Sequence, residues 1–417
     1  MSEEKSEKSA LLPRLRFPEF QGTTEWAHAR LGRLFSERQE TGCIDLPLLS
    51  LMDKEGIVPQ EETNRKNNSS ADKSKYLRVV PGDIAYNTMR MWEGRSAYVG
   101  IDGLVSPAYT VCIPGEEVNS IYFSYQFKTE TLIRQFRRYS QGLVKDTLNL
   151  KFENFSRIEV AYPEERREQQ KIAACLSSID DLIAAENHAL SALKTHKKGL
   201  MQQLFPREGE TVPRLRFPEF QDMREWEKIT FETLIEIASG QVDPTESPYC
   251  DLPHVGGENI ESDTGNLQGL RSASEDGVIS GKYPFDERDI LYSKIRPALN
   301  KVAVPDFRGI CSADIYPIRP STDTLLREYL VYLLRSESFV EYATKHSARG
   351  KIPKINREAL LAFCAMVPSP AEQRRIAFCL FSLDTLIDAQ SLKLDGLRSH
   401  KKGLMQQLFP VLNEVQA

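Results

Sequence analysis

The chain of 417 residues has little of the chemistry that marks an active site. Its six histidines are scattered, and its seven cysteines form no C-x-x-C pair and no Cys/His cluster at metal-ligand spacing. It has no G-x-G-x-x-G, G-x-x-x-x-G-K-[ST] or G-x-S-x-G motif, and hence no phosphate-binding loop and no nucleophile elbow. No Asn-Pro-Pro-Tyr-like stretch of an adenine methyltransferase occurs either. We therefore expect a chain that is not an enzyme and binds no metal or cofactor of its own.

Long hydrophobic runs are also missing. No run of 18 apolar residues occurs, so we expect no membrane span and no membrane partner. The first eight residues, MSEEKSEK, lack the apolar segment of a signal peptide and are expected to form a polar tail. The odd number of cysteines, most of them among apolar neighbours, favours buried thiols and a cytoplasmic location. The net charge of −5 excludes only a protein that is basic throughout.

What the chain does have is one pattern written twice. Residues 13–21 read PRLRFPEFQ and are repeated at 213–221, and residues 196–206 read HKKGLMQQLFP and are repeated at 400–410. The offsets of 200 and 204 make each copy about half of the chain. Because long internal repeats indicate a repeated architecture, we expect a pseudo-twofold molecule, which suits a target in two parts.

Each copy ends in a long amphipathic segment. Apolar residues recur in steps of three and four, as in the a/d seam of a coiled coil. Glu168 and Glu372 stand near the starts, and Pro206 and Pro410 near the ends. The pattern predicts two helices of about 38 residues, roughly 57 Å long, that pair antiparallel within the chain rather than packing as unrelated surface helices. The predicted pairing residues are Ile172, Leu176, Ile179, Ile183, Leu190, Leu193, Ile376, Leu380, Leu383, Ile387, Leu394 and Leu397.

We call the repeated segment at 13–21 and 213–221 the opening box. Between the opening box and the long helix, the two copies diverge in sequence but still align. Gly82-Asp83-Ile84 matches Arg288-Asp289-Ile290, for example, with short strands predicted nearby. One helix is predicted in each copy, over 120–139 and 324–345. The expected fold is therefore α+β: two mixed α/β domains joined by two long antiparallel helices. The predicted segments are 1–163 and 207–367 for the mixed regions, 164–206 and 368–411 for the helices, and 412–417 for a tail.

Basic residues cluster at the same place in both copies of this acidic chain. The segment from Lys128 to Lys145 contains five basic residues and one acidic residue, and the segment from Arg335 to Lys354 contains five basic residues and two acidic ones. Such clusters are typical of a surface that follows phosphates, although a solvated helix face is the common alternative. The predicted phosphate contacts are Lys128, Arg134, Arg137, Arg138, Lys145, Lys345, Arg349, Lys351 and Lys354.

A second set of candidates follows a predicted strand in each copy. Arg and Asn side chains read guanine and adenine edges in the major groove. The alternative is a strand end whose tyrosine packs inward, which we expect for Tyr86 and Tyr292, and whose arginine meets a carboxylate. The predicted DNA-binding residues of this second set are Asn87, Arg90, Trp92, Ser293, Lys294 and Arg296.

Taken together, these motifs resemble the specificity subunit of type I restriction–modification systems, the DNA-recognition chain of such systems. The resemblance rests on the PRLRFPEF box followed by Trp26 or Trp226, and on the Asp-Ile motifs. It also rests on Glu168-Gln169 and Glu372-Gln373 at the helix starts, and on the KKGLMQQLFP endings. It implies that each mixed region is a target recognition domain for one half of a bipartite DNA target, and that the paired helices fix the spacer.

The resemblance also implies partners and cofactors. Two methylation subunits would dock on the helices and carry S-adenosylmethionine, and restriction subunits would use ATP and Mg²⁺, none of which this chain would bind. Because Asn87-Thr88-Met89 stands where the second copy has Ser293-Lys294-Ile295, the two halves are expected to read different half-sites. Three alternatives stay open: an enzyme with an unfamiliar site, a coiled-coil scaffold for proteins only, and the specificity chain of a fused, bilaterally cleaving system.

Overall fold

The computed structural model describes residues 12–52, 56–63, 69–347 and 352–410. The chain forms two compact units. Unit 1 comprises residues 1–187 with 393–417, and unit 2 comprises residues 188–392. Each unit holds one mixed region and a part of both long helices, so the α+β class predicted from the sequence is confirmed. Among the described helices, none combines the length and the apolar character of a membrane span.

Unit 1 is built on a four-stranded antiparallel sheet of order β2-β9-β6-β7. Smaller pairs, β1 with β10, β3 with β4 and β5 with β8, flank it. The elements are β1 (Ala27–Arg30), α1 (Leu31–Leu34), β2 (Phe35–Glu37), β3 (Leu49–Met52), β4 (Gly56–Pro59), β5 (Leu77–Val79), β6 (Ile84–Asn87), β7 (Ser96–Tyr98), β8 (Gly103–Val105), β9 (Tyr109–Pro114), α2 (Ser120–Gln126), α3 (Glu130–Tyr139), α4 (Phe152–Phe155), β10 (Glu159–Tyr162) and α5 (Arg166–Leu204).

Unit 2 repeats the plan with sheet β12-β19-β16-β17 and the pair β11 with β20. Its second sheet, β14-β13-β18-β15, includes a parallel pair between β13 and β18. The elements are β11 (Glu227–Thr230), α6 (Phe231–Leu234), β12 (Ile235–Ile237), β13 (Pro253–Val255), β14 (Arg271–Ser272), β15 (Tyr283–Phe285), β16 (Ile290–Ser293), β17 (Val302–Ala303), β18 (Gly309–Cys311), β19 (Ile315–Pro320), α7 (Arg327–Arg335), α8 (Glu337–Lys345), α9 (Arg357–Leu361), β20 (Cys364–Val367) and α10 (Pro370–Leu408).

The long helices α5 and α10 run antiparallel within each unit. In unit 1 the ammonium group of Lys401 on α10 donates hydrogen bonds to the carboxylate of Asp180 on α5. In unit 2 Lys197 on α5 donates to the carboxylate of Asp384 on α10. All twelve predicted pairing residues are buried or half-buried. The buried ones are Ile172, Leu176, Ile376, Leu380, Ile387 and Leu394, and the half-buried ones are Ile179, Ile183, Leu190, Leu193, Leu383 and Leu397.

The repeated box serves as an anchor for the start of each long helix. Arg16 donates two hydrogen bonds of 2.7 Å to Glu168, and Trp26 Nε1 donates to the same carboxylate at 3.2 Å. In unit 2 Arg216 donates two bonds of 2.9 Å to Glu372. Both carboxylates are buried, so each needs its arginine for charge compensation. The identity of the two boxes therefore has a structural cause.

The opening box also contacts the far end of the other long helix. Leu15 N–H donates to the carbonyl of Gln407 at 3.0 Å, and Leu215 N–H donates to the carbonyl of Gln203 at 2.9 Å. These are equivalent positions in the two copies, and each bond lies within one unit. Carbonyls in the last turn of a helix lack partners inside that helix, so the box satisfies one of them in each case.

Two details differ from the sequence-based expectation. The single helix predicted in each mixed region is broken in two, because Thr129 and Ser336 adopt extended backbone and cap the second segment. Their hydroxyls accept N–H groups of Leu132 and Phe339, both at 3.4 Å. The buried-thiol expectation holds fully for two cysteines only; Cys364 is exposed and the remaining four are half-buried.

Candidate nucleic-acid interface

Unit 1 has a polar cavity of about 330 Å³ at the end of β6, lined by Leu51, Asn87, Arg90, Arg95 and Tyr109. Tyr86 is fully buried, as predicted, and strand alternation turns the next residue, Asn87, away from the core. Asn87 lies opposite Tyr109 in the register of β6 and β9, which brings both into the cavity wall. The strand end therefore presents an amide, a phenol and two guanidinium groups to one space.

Hydrogen bonds fix the backbone of this segment. Asn87 Oδ1 accepts the N–H of Met89 at 3.0 Å, whereas its amide nitrogen has no acceptor among the described residues. Trp92 is half-buried and its Nε1 donates to the carbonyl of Met89 at 2.9 Å. The segment from 87 to 92 is thus a folded turn that offers the Asn87 amide as a donor.

The charge around the cavity is positive. Arg90 is exposed and its guanidinium lies 3.2 Å from Glu93, and Arg95 lies 3.7 Å from the same carboxylate. One acidic side chain therefore faces two basic ones. An exposed ion pair of this kind is weak enough to be exchanged for a phosphate or a base edge.

The basic cluster of unit 1 lies on the outer face of α3 and the loop that follows. Leu132 and Phe136 bury the inner face, and helical spacing turns the basic residues to solvent. Lys128 is exposed and lies beside Asp180 and Lys401 of the helix pair. The exposed basic residues of this surface are Lys128, Arg134, Arg137, Arg138 and Lys145.

In unit 2 the structure corrects one predicted site residue and gives another an internal role. Ser293 is 2% exposed and its hydroxyl bonds the carbonyl of Ile295 at 3.4 Å, so it has no surface for a base contact. Lys294 is half-buried; its Nζ donates to the carbonyl of Ala313 at 2.7 Å and lies over the ring of Tyr316. Ser293 and Lys294 both belong to a well-packed strand end. Their alignment with residues 87 and 88 does not reveal this burial.

Arg296 lies on the surface of unit 2. It is exposed, and its backbone lies in the left-handed region with φ +47°. Non-glycine residues adopt that conformation rarely and at a cost, often at functional sites. Its N–H donates to the carbonyl of Pro353 at 2.8 Å, and among the described residues its guanidinium has no hydrogen-bond or ion-pair partner.

The basic cluster of unit 2 is smaller than the sequence suggests. Lys345 and Lys354 are exposed, and Lys354 lies 2.9 Å from Asp314. Arg335, which the charge count includes, is half-buried and donates to the carbonyls of Thr264 and Val302, both at 2.7 Å, and desolvation of its guanidinium lowers its pKa. The predicted contacts Arg349 and Lys351 lie outside the described residues.

Sequence reasoning missed the other members of the cavity wall. Arg95 directly precedes β7, and Tyr109 lies on β9; both strands pair with β6. A predicted pairing of β9 with β6 would have placed Tyr109 opposite Asn87. At the position of unit 2 that matches Arg95, Lys301 donates to the carbonyl of Gly257 at 2.6 Å. The two units therefore present different groups at matching places.

The Asp-Ile motifs, Asp83-Ile84 and Asp289-Ile290, have a structural role at the starts of the central strands β6 and β16. Asp83 accepts two bonds from Arg38, at 2.8 and 3.1 Å, and Asp289 accepts two of 2.8 Å from Arg319. Both carboxylates are buried at the start of the central strand, and burial raises the pKa of Asp289. Within the described parts of the chain, no cluster of His, Cys, Asp and Glu is arranged to hold a metal ion.

Comparison with known proteins points in one direction. The model of the family described as type I restriction modification DNA specificity domain matches residues 50–195 and 223–396. The EcoDI type I specificity subunit of Escherichia coli is 31% identical over 206 residues, which are 49% of this chain and 45% of that subunit. The match thus spans less than half of that relative.

Two further relatives extend over most of the chain. The MjaVIII type I specificity subunit of Methanocaldococcus jannaschii is 25% identical over 384 residues, covering 85% of this chain and 86% of that subunit. The crystal structure of a type I restriction–modification S subunit from M. genitalium covers 96% of this chain and 100% of its own, with a TM-score of 0.59 and 13% identity. That likeness concerns the fold alone.

Proposed function

We propose, on the premise that the chain belongs to the type I restriction modification DNA specificity family, that it is the DNA-recognition subunit of such a system. Each unit reads one half of a bipartite target in double-stranded DNA. The chain contributes recognition and no catalysis. The proposal therefore favours a DNA-binding chain over a scaffold that binds proteins only. An ordinary type I system and a fused, bilaterally cleaving one differ in their partner subunits, whose identity would distinguish them.

The observation that carries the proposal is that the two units share their structural framework but differ in the side chains that follow the central strand. The anchors Arg16–Glu168 and Arg216–Glu372 are the same in both units. Beyond the central strand each unit exposes an arginine, Arg90 or Arg296, but unit 1 adds the half-buried Asn87 where unit 2 has the buried Ser293. A constant frame that presents different hydrogen-bond donors is what two different half-sites require.

Electrostatics supports a nucleic-acid ligand. The chain is acidic overall, yet the outer face of α3 and the neighbouring loop carry exposed basic side chains in unit 1. In this proposal Arg137 and Arg138 contact phosphates, and Arg90 and Arg296 contact base edges. Phosphate contacts release counterions, so binding should weaken steeply as salt rises.

The paired helices supply the second part of the proposal. Their length sets the spacer between the half-sites, and their surface docks two methylation subunits that carry S-adenosylmethionine. Restriction subunits with ATP and Mg²⁺ complete the complex, which acts on DNA in the cytoplasm. The continuous hydrogen-bonded span of α5 and α10, 39 residues each, supports a stiff spacer.

The direct test is a methylation map. The chain is co-produced with its methylation subunits in a host that lacks adenine methylation, and the genome is read by long-read sequencing. The expected result is methylated adenine in one bipartite motif with a fixed spacer. Methylation that is independent of this chain, or a motif in one piece, would overturn the proposal.

A further inference from the structure

Each unit exposes an apolar side chain within its basic surface. In unit 1 Leu143 is fully exposed and Val144 is 61% exposed. In unit 2 Ile352 is 46% exposed, and the Gly-x-Ile that it ends matches the Gly-x-Val of residues 142–144. We call Leu143 and Ile352 the apolar tips. Ile352 matches Val144, and Lys351 matches Leu143, so the two tips lie one residue apart in the alignment. One exposed leucine needs no explanation, but an exposed apolar side chain within one residue of the same place in both copies does.

The tip of unit 1 is held in place by its own loop. Gln141 and Asn149 exchange backbone hydrogen bonds of 2.9 and 2.8 Å, and the hydroxyl of Thr147 bonds both the N–H and the carbonyl of Val144. Gly142 has φ +133°, and a Cβ there would lie 2.4 Å from the carbonyl oxygen of Thr147. The loop therefore presents Leu143 outward in a defined geometry that requires glycine beside it.

The loop that bears each tip is hydrogen-bonded, at its end, to the segment that bears the proposed base-reading arginine. In unit 1 the N–H of Leu150 donates to the carbonyl of Thr88 at 2.8 Å, two residues before Arg90. In unit 2 the N–H of Arg296 itself donates to the carbonyl of Pro353 at 2.8 Å, next to Ile352. In each unit the loop that carries the tip is thus joined to the segment that carries the arginine.

The neighbouring charges identify the partner. Arg137, Arg138 and Lys145 are exposed and lie close to Leu143 in sequence, and Lys354, which pairs with Asp314, follows the tip of unit 2. Proteins that bend DNA insert leucine, isoleucine or proline between base pairs while basic side chains hold the flanking phosphates. A protein or lipid partner would meet the apolar side chain equally well, but it would not explain the pairing of each tip with a base-reading arginine.

We propose that Leu143 and Ile352 are wedges that open a base step beside each half-site. The inference deepens the proposed function and rests on it. Insertion unstacks one step and kinks the duplex by about 20–90°. Because pyrimidine–purine steps unstack most easily, the wedges would also favour such a step at a position that no side chain reads directly.

The test uses the full chain and a duplex that it enriches from a randomised library. The variants are Leu143→Ala and Ile352→Ala, with Ile44→Ala and Ile279→Ala as controls that remove a similarly exposed apolar side chain from the same units. 2-Aminopurine placed at successive positions reports unstacking, and energy transfer between end labels reports the bend. The expected result is that each tip variant loses the fluorescence increase beside one half-site and reduces the bend, while the salt slope is unchanged.

Unchanged 2-aminopurine fluorescence and bending in both tip variants would overturn the wedge, as would an equal loss in the controls. Neither outcome touches the proposed function, because enrichment of a bipartite sequence and a steep salt dependence would persist. Failure of the unaltered chain to enrich any sequence would instead refute the proposed function.

Discussion

Lys401 donates two hydrogen bonds to the carboxylate of Asp180, at 2.6 and 2.7 Å, and thereby joins the two long helices in unit 1. Tyr125 of α2 donates to the same carboxylate at 2.7 Å, and Lys401 lies over its ring. Unit 2 repeats the arrangement with Lys197, Asp384 and Tyr332. One aspartate in each unit therefore fixes the helix register and attaches the mixed domain to it.

This triad predicts a measurable coupling. In a double-mutant cycle of Asp180→Asn and Lys401→Met, we expect a coupling of about 1 kcal/mol, because the pair is half-buried and shares a third partner. The cycle is measured by urea unfolding. The control is the exposed pair Arg157–Glu153, for which we expect coupling near zero. Equal coupling in the two cycles would contradict the role assigned to the triad.

The anchor at the helix start predicts a larger effect. Arg16→Met leaves Glu168 buried without a cation, which should lower the free energy of unfolding by about 3–5 kcal/mol. Lys171→Met, which removes an exposed ion pair with Glu19 and a cation–π contact with Phe17, should change it little. Hydrogen exchange of the first turns of α5 checks where stability is lost. A small effect of Arg16→Met would mean that the repeated box has another purpose.

The sequence was sufficient for features that depend on local patterns. The three- and four-residue steps from Ile172 to Leu397 predicted the helix pair, and their place at the end of a predicted strand favoured inward packing of Tyr86 and Tyr292, which are buried. Ser293 and Arg335 were misjudged because their burial depends on partners distant in sequence, such as Thr264 for Arg335. No pattern within a few residues reports such contacts.

The arginines beyond the central strands give a test of base reading. Arg90→Ala and Arg296→Ala should each relax specificity at one half-site only and weaken it by about 1–3 kcal/mol. Competition binding against duplexes altered in one half measures this. Lys294→Met is the contrasting variant, since its bonds to Ala313 and Tyr316 are internal, and it should reduce stability without changing the preferred sequence. Loss of affinity for all DNA alike in Arg90→Ala would assign that arginine to phosphate.

One carboxylate predicts a pH dependence. The hydrogen bond from Arg288 lowers the pKa of Asp286 to about 2. A folded-state pKa below the unfolded value means that the stabilisation is present above about pH 4 and is lost as the pH falls toward 2. Asp286→Asn should therefore be less stable than the parent by about 1–2 kcal/mol at pH 7, with the difference shrinking by pH 3. Urea unfolding at both pH values checks this; a constant difference would contradict it.

The basic surface was predicted in part. The exposed residues of α3 follow from helical spacing, but the cavity wall required the pairing of β6 with β9, which brings Tyr109 opposite Asn87. A single sequence carries no direct signal for the register of two strands separated by a loop. The exposure of Leu143 is likewise a property of the loop closed by Gln141 and Asn149, not of its local sequence.

The most direct test of the account shortens both helices by one heptad. Removing residues 185–191 and 389–395 keeps the a/d seam and shortens each helix by about 10 Å, close to the rise of three base pairs. A methylation map of the variant complex should show both half-sites unchanged and the spacer between them altered. An unchanged spacer with a folded, active complex would contradict the claim that the helix pair sets the distance between two half-sites.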